Sequence, residues 1–589
     1  MTRTARHPAN FDVADRRVYL VGIGGCGMSG LARLLRSRGA MVAGSDSTAS
    51  DTTDALTREG IPVAFDQSTA SLPEPCDLVI ASAAIKPDNP QWLEAERRGI
   101  RVMLYAEALG ACMLGRTGVA IAGTHGKSTT TAMLGAALVD AGLDPSVIVG
   151  ATCSQLLGGS LAAPVTPGTG FRLGAPCIPQ GSLRERPGIL IAEACEFNRS
   201  FHNLWPTVAC ITSVEADHLD VYGSLDAVVQ AFHEFAQQLP AERAGGRLLI
   251  AHDGAHRREV TAGVEAAVET IGFAPEADWV VRCDPRTREV ELAHHAQTLA
   301  RWMNNLPGQH NAMNAATAAA LGIMLGADPA RLAASLGAFR GVDRRLQFLG
   351  EVRIATAPAR HLATRLVPAQ TGPATGAGAA PICTGVRVFD DYGHHPTEID
   401  CTLRALRLSE RPEQRRGPNG QPGRLVCVFQ PHQHSRTRHL LEEFAASFEQ
   451  ADIVIVPHIY FVRDSQAEKA KVSAGDLVDR LRARGVNALH LYPFEAIIEH
   501  LQNLCRAGDT LVVMGAGPVF EVGYGYIDAM KRRDQGAAGP SPKAAVGGMD
   551  QHGASQRLAP RSPQVGSPAS HSGSPPVINI AAQTIEAHG

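Results

Sequence analysis

The stretch Gly118-Val-Ala-Ile-Ala-Gly-Thr-His-Gly-Lys-Ser-Thr-Thr-Thr131 decides the fold. Its first five residues are apolar and predict a buried strand. Gly123 and Gly126 then turn the chain, and a helix is expected from Ser128 to Leu138. Strand–helix alternation of this kind continues along most of the sequence, which predicts an α/β protein built on parallel sheets.

The turn in this stretch has the composition of a phosphate-binding loop. Backbone N–H groups and the positive end of the helix would face the anion, Lys127 adds a compact charge, and the Ser128 hydroxyl can bind Mg²⁺. The full Walker pattern is incomplete because its first glycine would fall at Ile121. Lys127 is also the only lysine between Lys86 and Lys469 in a chain with six lysines, which favours a role that a planar guanidinium cannot fill.

Length and composition limit the classes of protein that the chain can belong to. With 589 residues, it is long enough for roughly three or four domains. Hydrophobic residues make up 44% of it and charged residues 19%, as in soluble globular proteins. The net charge of -3 gives no electrostatic argument for a nucleic-acid or membrane partner, and no apolar run approaches the roughly 20 residues that span a bilayer.

Cysteine usage and the N-terminus indicate the compartment. The twelve cysteines are scattered singly, without a C-x-x-C pair, which indicates reduced thiols rather than disulfides or a cysteine zinc site. The N-terminus carries arginines, but Asp12 and Asp15 leave no apolar core for a signal sequence. We therefore expect a cytoplasmic protein.

Residues 1–117 are expected to form a first, Rossmann-like domain. The strand Arg17–Val21 leads into the glycine loop Gly22-Ile-Gly-Gly-Cys-Gly27, and a second strand ends at Asp46. This matches the dinucleotide fingerprint, in which a diphosphate lies on the helix start and the acid reaches a ribose or a base. A third strand, Leu78-Val-Ile-Ala-Ser82, ends where ligands of such sheets bind. By itself, the fingerprint favours an NAD-dependent oxidoreductase.

Residues 118–340 are expected to form a second α/β domain around the phosphate loop. One predicted strand ends in Glu193-Ala-Cys-Glu196, and the next is followed by Glu215-Ala-Asp-His218. Acids and a histidine thus reach the same sheet edge as the phosphate loop, which suits Mg²⁺ beside a triphosphate. Imidazole is an unusual ligand for Mg²⁺, so the residues alone leave His218 as either a base or a ligand.

An alanine-rich helix is predicted after Leu306-Pro-Gly-Gln-His-Asn-Ala-Met-Asn314 begins. The side-chain amides of Asn311 and Asn314 lie three residues apart, on one face of that helix. They can bind the edge of a base, or Asn311 can simply cap the helix.

Residues 341–532 are expected to form a third, Rossmann-like domain. A strand leads into the loop Asp390-Asp-Tyr-Gly-His-His-Pro-Thr-Glu398, and another leads into Gln430-Pro-His-Gln-His-Ser-Arg-Thr-Arg438. The histidines of the two loops could form a zinc site, but no cysteine accompanies them, so we favour hydrogen bonding and substrate binding. These histidines are His394, His395, His432 and His434.

Three segments have the composition of loops or tails. Residues 153–187 and 355–382 are rich in Gly, Pro and other small residues, and both are predicted to be inserted loops. Residues 533–589 contain few aromatic residues and cannot bury enough apolar surface to order themselves, so a disordered tail is predicted there.

Taken together, the chain resembles the Mur ligases over about residues 17–530. Within that family it is most similar to the members that join L-alanine to UDP-N-acetylmuramate; a ligase of murein tripeptide would typically have Ala at Gly393 and lack Gln430-Pro-His432. Six motifs in the family order carry the resemblance. They are Gly22-Ile-Gly-Gly-Cys-Gly-Met-Ser-Gly30, Gly123-Thr-His-Gly-Lys-Ser-Thr129, Glu215-Ala-Asp-His218, His310-Asn-Ala-Met-Asn314, Asp390-Asp-Tyr-Gly-His-His-Pro-Thr-Glu398 and Phe429-Gln-Pro-His432.

The resemblance implies a UDP-sugar-binding first domain, a P-loop-type ATPase as the second and a third domain that closes over the nucleotide and the amino acid. It implies ATP-dependent amide formation through an acyl phosphate, with Mg²⁺, in peptidoglycan precursor synthesis. The substrates would be UDP-N-acetylmuramate and L-alanine, and the enzyme would be a monomer or a weak homodimer.

The resemblance also implies roles for individual residues. The catalytic residues would be Lys127, Glu193, His218, Arg345 and Asp391, and the Mg²⁺ ligands Ser128, Glu193 and His218. The ATP-binding residues would be Gly123, Thr124, His125, Gly126, Lys127, Ser128, Thr129, Asn311, Asn314, Arg345 and Asp391. The substrate-binding residues would be Gly22, Gly24, Gly25, Gly27, Asp46, Ser82, His125, Tyr392, His394, Arg436 and Arg438, with the two arginines suited to the amino-acid carboxylate.

Two features depart from the family pattern. Several sister ligases carry a carbamoylated lysine in the central domain, but this chain has no lysine between Lys127 and Lys469, as expected of the alanine-adding members. The usual Glu-Ser-Asp after the metal-binding acid is Glu196-Phe-Asn198 here, which leaves the role of Asn198 open. Two alternatives remain besides the tripeptide ligase, namely the oxidoreductase and a non-catalytic relative that binds a UDP-sugar.

Overall fold

The computed structural model describes residues 11–354, 383–462 and 464–537. Residues up to Ala537 form one compact unit. The predicted insertion at 355–382 lies outside the described residues. So does most of the predicted tail, of which only the first five residues are described, as the end of the last helix.

The first sheet has five parallel strands in the order β3-β2-β1-β4-β5. Its strands are β1 Arg17–Val21, β2 Met41–Ser45, β3 Val63–Ala64, β4 Leu78–Ala81 and β5 Val102–Leu104. Its helices are α1 Cys26–Ser37, α2 Asp51–Arg58, α3 Pro90–Arg97 and α4 Tyr105–Met113. The predicted glycine loop therefore lies between β1 and the start of α1, where the N–H groups of the first helical turn lack partners within the helix.

The central sheet has ten strands in the order β15-β14-β13-β12-β11-β10-β6-β9-β7-β8. They are β6 Thr117–Ala122, β7 Ser146–Cys153, β8 Thr169–Arg172, β9 Ile189–Glu193, β10 Val208–Ile211, β11 Arg247–Ala251, β12 Ala267–Gly272, β13 Trp279–Cys283, β14 Glu289–His294 and β15 Gln297–Met303. The helices of this region are α5 Lys127–Asp140, α6 Leu219–Tyr222, α7 Leu225–Ala236, α8 Arg257–Thr261, α9 Gln309–Met324 and α10 Pro329–Ala338.

The middle of this central sheet is parallel, as predicted, but its two ends contain antiparallel pairs that the strand–helix alternation did not predict. Strand β14 is antiparallel to both of its neighbours, β13 and β15, and β8 is antiparallel to β7. Antiparallel neighbours can be joined by short turns, so they need no crossover helix. The predicted inserted loop 153–187 is not irregular throughout, because Thr169–Arg172 within it forms strand β8.

Helix α5 confirms the helix predicted after the phosphate loop and begins at Lys127, one residue earlier than expected. Residues from Ser128 to Leu138 are all buried, because the helix lies between the sheet and other helices and packs against α9 and α10. Helix α9 is rich in alanine, whose small side chains let two helices approach closely.

The third sheet has the order β16-β17-β21-β18-β19-β20 and is parallel except for the pair β16–β17. Its strands are β16 Gln347–Arg353, β17 Gly385–Asp391, β18 Leu425–Phe429, β19 Ile453–Val456, β20 Ala488–His490 and β21 Thr510–Met514. Its helices are α11 Pro396–Glu410, α12 His434–His439, α13 Leu441–Ala446, α14 Gln466–Lys469, α15 Ala474–Ala483, α16 Phe494–Leu504 and α17 Phe520–Ala537. Among the described residues, no helix has the length and apolar character that crossing a bilayer requires.

The order β10-β6-β9 places the phosphate loop between two neighbouring strand ends. Ile121 of β6 pairs with Glu193 of β9, and Ala122 pairs with Ile211 of β10. Because the three strands are parallel, the loops that follow them leave the sheet at one edge. The three sheets follow the predicted domains 1–117, 118–340 and 341–532, except that β6 of the central sheet begins one residue early, at Thr117; the domain boundaries themselves stay predictions.

Helix α4 of the first sheet region packs against residues of the central region at Gly110. A Cβ atom at this position would overlap the carbonyl oxygen of Asn203. We expect Gly110→Ala to lower the free energy of unfolding by about 1–3 kcal/mol, the usual cost of overpacking. Gly475→Ala, in α15, where an added Cβ would meet Oγ of Ser473 at an ordinary contact distance of 3.4 Å, is the matched control and should raise stability by about 0.5–1 kcal/mol. Urea denaturation of both variants measures the difference, and an equal effect of the two would contradict the packing argument.

Candidate active site

The phosphate loop depends on two glycines with left-handed backbone conformations. Gly123 has φ 130° and Gly126 has φ 83°. A Cβ atom at Gly123 would collide with Thr212, and one at Gly126 would lie 2.5 Å from Oδ1 of Asn314. Only glycine adopts such φ values without strain, so the loop fits between β10 and α9 because both positions lack a side chain.

Lys127 is held inside the loop that it follows. Its Nζ donates hydrogen bonds to the carbonyl oxygens of Gly123 at 2.6 Å and Thr124 at 3.0 Å, and to Oε1 of Glu196 at 3.0 Å. Burial alone would lower the pKa of Lys127, but the charge of Glu196 outweighs it and raises that pKa. The ammonium group therefore stays charged and points toward the edge of the sheet where the loops meet.

Ser128 and Glu193 form the second pair at this edge. The Ser128 hydroxyl donates to Oε1 of Glu193 at 2.9 Å, and the other carboxylate oxygen accepts from the backbone N–H of Gly150 at 2.7 Å. A hydroxyl beside a carboxylate is a set of oxygen donors that suits Mg²⁺.

His218 lies with two acids rather than directly with Ser128 and Glu193. Its Nε2 is 3.9 Å from Glu196 and 3.8 Å from Asp217. One ligand atom from each of these three residues lies within 4.8 Å of the others, a spacing that a single cation can bridge. Burial lowers the pKa of His218, so the imidazole is neutral at pH 7 and able to bind a metal.

A buried ion pair joins this edge to the third sheet region. The guanidinium of Arg436 donates to Oδ1 of Asp217 at 2.8 and 3.0 Å, and both residues are less than a tenth exposed. Burial opposes ionisation of Asp217, yet Arg436 holds the pKa of that carboxyl well below its usual range. The Thr397 hydroxyl also donates to Oε2 of Glu215 at 2.6 Å, so the loop after β10 contacts both α11 and α12.

His125 lies between carboxylates of the two regions. Its ring nitrogens are 3.5 Å from Glu215 and 3.4 Å from Glu398, and its ring is 4.7 Å from that of His395. Burial would lower its pKa, but the close contacts with the two carboxylates outweigh burial and raise the pKa of His125 to about 9. The imidazolium therefore acts as a charged link between the phosphate loop and α11.

Arg345 and Asp391 meet close to His125. Arg345 lies 3.2 Å from Glu398 and 5.1 Å from the centre of the Tyr392 ring. The Asp391 carboxylate accepts from the backbone N–H groups of Leu346 at 2.7 Å and Gly393 at 2.6 Å. Burial raises the pKa of Asp391 to about 6, against the opposing charge of Arg345.

A cavity of about 200 Å³, which we call the nucleotide cavity, lies beside the loop. The residues expected to bind ATP that line it are His125, Gly126, Thr129, Asn311, Asn314, Arg345 and Asp391. The alternative in which Asn311 caps the helix is wrong, because the cap is Gly308. Asn311 instead donates from its amide to the carbonyl oxygen of Pro307 at 2.8 Å, which leaves its own carbonyl oxygen free to accept.

A second cavity, of about 670 Å³, is lined by all three sheet regions. The first region contributes Cys26, Ala83 and Tyr105. The central region contributes Lys127, Ser128, Glu193, Glu196, Asp217 and His218, among others, and the third contributes Tyr392, His394, His432, Gln433 and Arg436. We call this space the reaction cavity, because it joins the phosphate loop, the candidate metal ligands and the third region.

Several residues expected at the site lie elsewhere or are already paired. Arg438 does not line the reaction cavity; it lies 3.1 Å from Glu468 on α14. Asp46 accepts a hydrogen bond from the backbone N–H of Gly24 at 2.8 Å, so it stabilises the glycine loop. Ser82 lies against Gly22, where an added Cβ would approach it to 3.0 Å.

The expected set also omitted four acids that the structure brings into the site. Glu196 pairs with Lys127, Asp217 with Arg436, and Glu215 and Glu398 with His125. All four lie in motifs that the sequence analysis identified. Their partners belong to other strands or to another sheet region, and spacing along the chain does not reveal such pairs.

Asn198 has a backbone role in this structure. Asn198 and Arg199 have φ values of 52° and 55°, in the left-handed region that asparagine tolerates better than most residues. They form a tight bend between Glu196, which pairs with Lys127, and Phe201, which is buried in the core.

The zinc alternative gains no support from the geometry. Among the described residues, the groups of at least three metal-ligating side chains are His125–Glu215–His395 and Glu196–Asp217–His218. His394, His432 and His434 belong to neither group.

Comparison with known proteins follows the same three regions. The family model described as "Mur ligase family, catalytic domain" matches residues 17–117, the "Mur ligase middle domain" matches 121–322, and the "Mur ligase, glutamate ligase domain" matches 380–517. The chain belongs to the Mur ligase family. The oxidoreductase suggested by the glycine fingerprint is thus not supported, because all three regions match Mur ligase models.

Curated Mur ligases align with this chain over nearly the whole length of the relatives. The chain is 31% identical to the UDP-N-acetylmuramate–L-alanine ligase of Caldanaerobacter subterraneus, over 88% of this chain and 98% of the relative. It is 34% identical to the ligase of the same name from Salinibacter ruber, over 89% and 96%, and 35% identical to that from Kineococcus radiotolerans, over 88% and 97%.

Solved structures of Mur ligases share the fold. The UDP-N-acetylmuramate–alanine ligase of Thermotoga maritima superposes with a TM-score of 0.64 at 22% identity, covering 88% of this chain and 99% of its own. A murein peptide ligase of Psychrobacter arcticus gives a TM-score of 0.59 at 22% identity, covering 87% and 98%. Both show that this chain has the Mur ligase fold.

The charged link at His125 predicts a dependence of stability on pH. Since its pKa is about 9 in the folded protein and about 6.5 in an unfolded chain, the stability it adds is complete below pH 6.5 and is lost as pH rises through 9. We expect the stability difference between wild type and His125→Asn to fall by up to about 3 kcal/mol between pH 6 and pH 9.5. Calorimetric unfolding across this range measures it. The exposed His295→Asn serves as control, and a parallel shift of both variants would refute the assignment.

Proposed function

We propose that this Mur ligase joins L-alanine to UDP-N-acetylmuramate at the expense of ATP, in peptidoglycan precursor synthesis. The observation that carries the proposal is the reaction cavity, in which one space is lined by the glycine-loop region, the phosphate loop and the amino-acid motif of the third region. Relatives at 31–35% identity over nearly their whole length carry the same activity in their names.

The reaction has two bond-forming steps. The muramyl carboxylate attacks the γ-phosphorus of ATP, which gives an acyl phosphate and ADP. The deprotonated amine of L-alanine then attacks the acyl carbon, and inorganic phosphate leaves a tetrahedral intermediate to give the amide. Both steps move negative charge between oxygens, so the site must neutralise charge and exclude water more than it must supply a strong base.

Lys127 supplies the neutralising charge at the phosphate loop. Its three N–H groups donate to two carbonyl oxygens and Glu196, so one of these hydrogen bonds is exchanged for a phosphate oxygen when the nucleotide binds. Backbone N–H groups at the start of α5 add the positive end of the helix. Arg345 lines the nucleotide cavity, where it can balance the negative charge that develops on ADP as the γ-phosphate is transferred.

The donors at the sheet edge fit a magnesium ion. Ser128 and Glu193 offer a hydroxyl and a carboxylate, and His218 is neutral beside two further acids. We propose that Ser128, Glu193 and His218 hold Mg²⁺, with Glu196 and Asp217 close by. The ion, when bound, supplies charge neutralisation for the phosphoryl oxygens.

The third region is proposed to bind the amino acid. Tyr392, His394 and Arg436 all line the reaction cavity. Burial lowers the pKa of His394 to about 4, so the imidazole is neutral and does not repel the ammonium group of L-alanine. Arg436 can bind the carboxylate; Arg438 is omitted from this role because it lies outside the cavity.

The first region is proposed to bind the UDP group. The turn Gly22–Gly25 leads into α1, whose first N–H groups have no partner within the helix, and Asp46 holds the turn through Gly24. Gly27 has no room for a side chain, because an added Cβ would lie 2.6 Å from the Tyr105 hydroxyl. We further propose that the enzyme works in the cytoplasm as a monomer or weak homodimer.

Phosphate release tests the proposed reaction. Wild-type enzyme should release phosphate from ATP only when UDP-N-acetylmuramate and L-alanine are both present. Lys127→Ala should lower kcat at least 1000-fold, on the order expected when a fixed charge at the transition state is removed. Lys127→Arg is the matched control for charge; we expect it to be nearly as inactive, because a planar guanidinium does not fit between the two carbonyl oxygens.

Other outcomes of this assay are equally informative. Phosphate release that requires UDP-N-acetylmuramate and a tripeptide, instead of L-alanine, would assign the chain to murein recycling. An absence of release with every amino acid tested, from enzyme that still binds UDP-N-acetylmuramate, would leave only a binding role and refute the proposal.

The metal ligands can be tested separately. Glu193→Gln keeps the size of the side chain but removes a charge, so we expect the Mg²⁺ concentration for half-maximal activity to rise at least tenfold. The KM for L-alanine should change much less. Glu276→Gln, at an exposed glutamate, is the control, and an unchanged Mg²⁺ requirement in Glu193→Gln would remove this residue from the metal site.

A further inference from the structure

A third cleft, of about 1120 Å³, lies between the central and third regions and outside the reaction cavity. One wall carries the turn between β13 and β14 and the residues before α9. The other wall carries β16, β17 and α11. It is somewhat larger than the roughly 300–1000 Å³ typical of ligand pockets. Nothing in the proposed reaction uses it, and we call it the arginine cleft.

The cleft concentrates positive charge in a protein whose net charge is -3. Seven arginines and two glutamates line it. Glu410 lies 2.6 Å from Arg387 and 3.8 Å from Arg415, and Glu351 lies 3.7 Å from Arg415. Both glutamates are therefore paired with Arg387 or Arg415. Most of the other five arginines have no carboxylate partner in the described part of the cleft.

Four guanidinium groups of the cleft have no carboxylate within 4.0 Å among the residues that the structure describes. They are Arg286, Arg288, Arg340 and Arg411. They come from both walls, so opening the cleft would separate them and an anion between them would hold the walls together. The segment 355–382, which joins β16 to β17 in the sequence and lies outside the described residues, contains no Asp or Glu.

An aromatic surface accompanies the charge. Phe348 lines the cleft and is 46% exposed. The Arg387 guanidinium lies 4.4 Å from the centre of the Phe348 ring. The centres of the Phe348 and Phe389 rings are 5.3 Å apart. An exposed aromatic ring flanked by a guanidinium provides a platform on which a nucleobase can stack.

The cleft is distinct from the nucleotide cavity but adjoins it. His310, Leu346 and Cys401 line both spaces. The unpaired arginines and Phe348 line only the cleft. A ligand held by those groups therefore lies beyond the residues proposed to bind ATP for the reaction.

We propose that the arginine cleft binds a nucleoside di- or triphosphate, separate from the ATP consumed in the reaction. The arginines on both walls bind the phosphates, and Phe348 with Arg387 stacks the base. A ligand held by both walls stabilises the arrangement of the two regions that this structure shows. This site goes beyond the proposed function and does not depend on the identity of the amino acid.

The number of nucleotides bound per chain tests the proposal. The full-length protein is dialysed to equilibrium against the magnesium complex of AMP-PNP, a non-hydrolysable ATP analogue, with UDP-N-acetylmuramate at saturation. The double variant Arg286→Ser/Arg411→Ser should bind one equivalent fewer than wild type, with the KM for ATP changed less than twofold. Arg243→Ser/Arg258→Ser, at two exposed arginines outside the cleft, should bind as many as wild type.

A second variant separates the cleft from the reaction site. Lys127→Ala should lose the equivalent bound at the phosphate loop and keep the one in the cleft. This distinction holds even if the proposed ligase activity fails. An equal number of bound nucleotides in wild type and Arg286→Ser/Arg411→Ser would overturn the proposal. So would a tenfold rise in the KM for ATP in that variant, which would make the cleft part of the reaction site. Binding of a single-stranded oligonucleotide without binding of AMP-PNP would also overturn it.

Discussion

The buried ammonium of Lys127 is the constraint around which the site is built. A buried charge is tolerated only when it is neutralised and hydrogen-bonded, and here two loop carbonyls and Glu196 do both. Glu196 stands just before a bend with left-handed backbone at Asn198 and Arg199. Its carboxylate also lies 3.9 Å from Nε2 of His218, so this one acid contacts both the phosphate-loop lysine and a candidate metal ligand.

The loop after β10 carries this arrangement to the third sheet region. Residues 215–218 provide the carboxylate that meets His125 and Thr397, the carboxylate that meets Arg436, and His218 itself. Each contact buries charged or polar groups that would be costly to leave unpaired. The relative position of the two regions and the geometry of the site therefore depend on each other, as expected of an enzyme that must exclude water from an acyl phosphate.

Local sequence patterns predicted the phosphate loop, its helix and the strands that flank it, because apolar runs, glycines and the edge of a parallel sheet are properties of neighbouring residues. They also placed Ser128 near Glu193. They did not predict the antiparallel strand β8, or that Arg436 pairs with Asp217 and Arg438 with Glu468. Those outcomes are set by packing between distant segments, which spacing along one chain does not encode.

The pairing of Arg436 with Asp217 has a thermodynamic consequence. A guanidinium that already has a carboxylate partner gains little net energy when a substrate carboxylate takes its place, because one ion pair is exchanged for another. Such an exchange would also release Asp217 next to His218 and loosen the contact between α12 and the loop after β10. Capture of the amino acid would then be tied to a rearrangement at the metal-binding edge, which favours an obligatory order of substrate addition over independent binding.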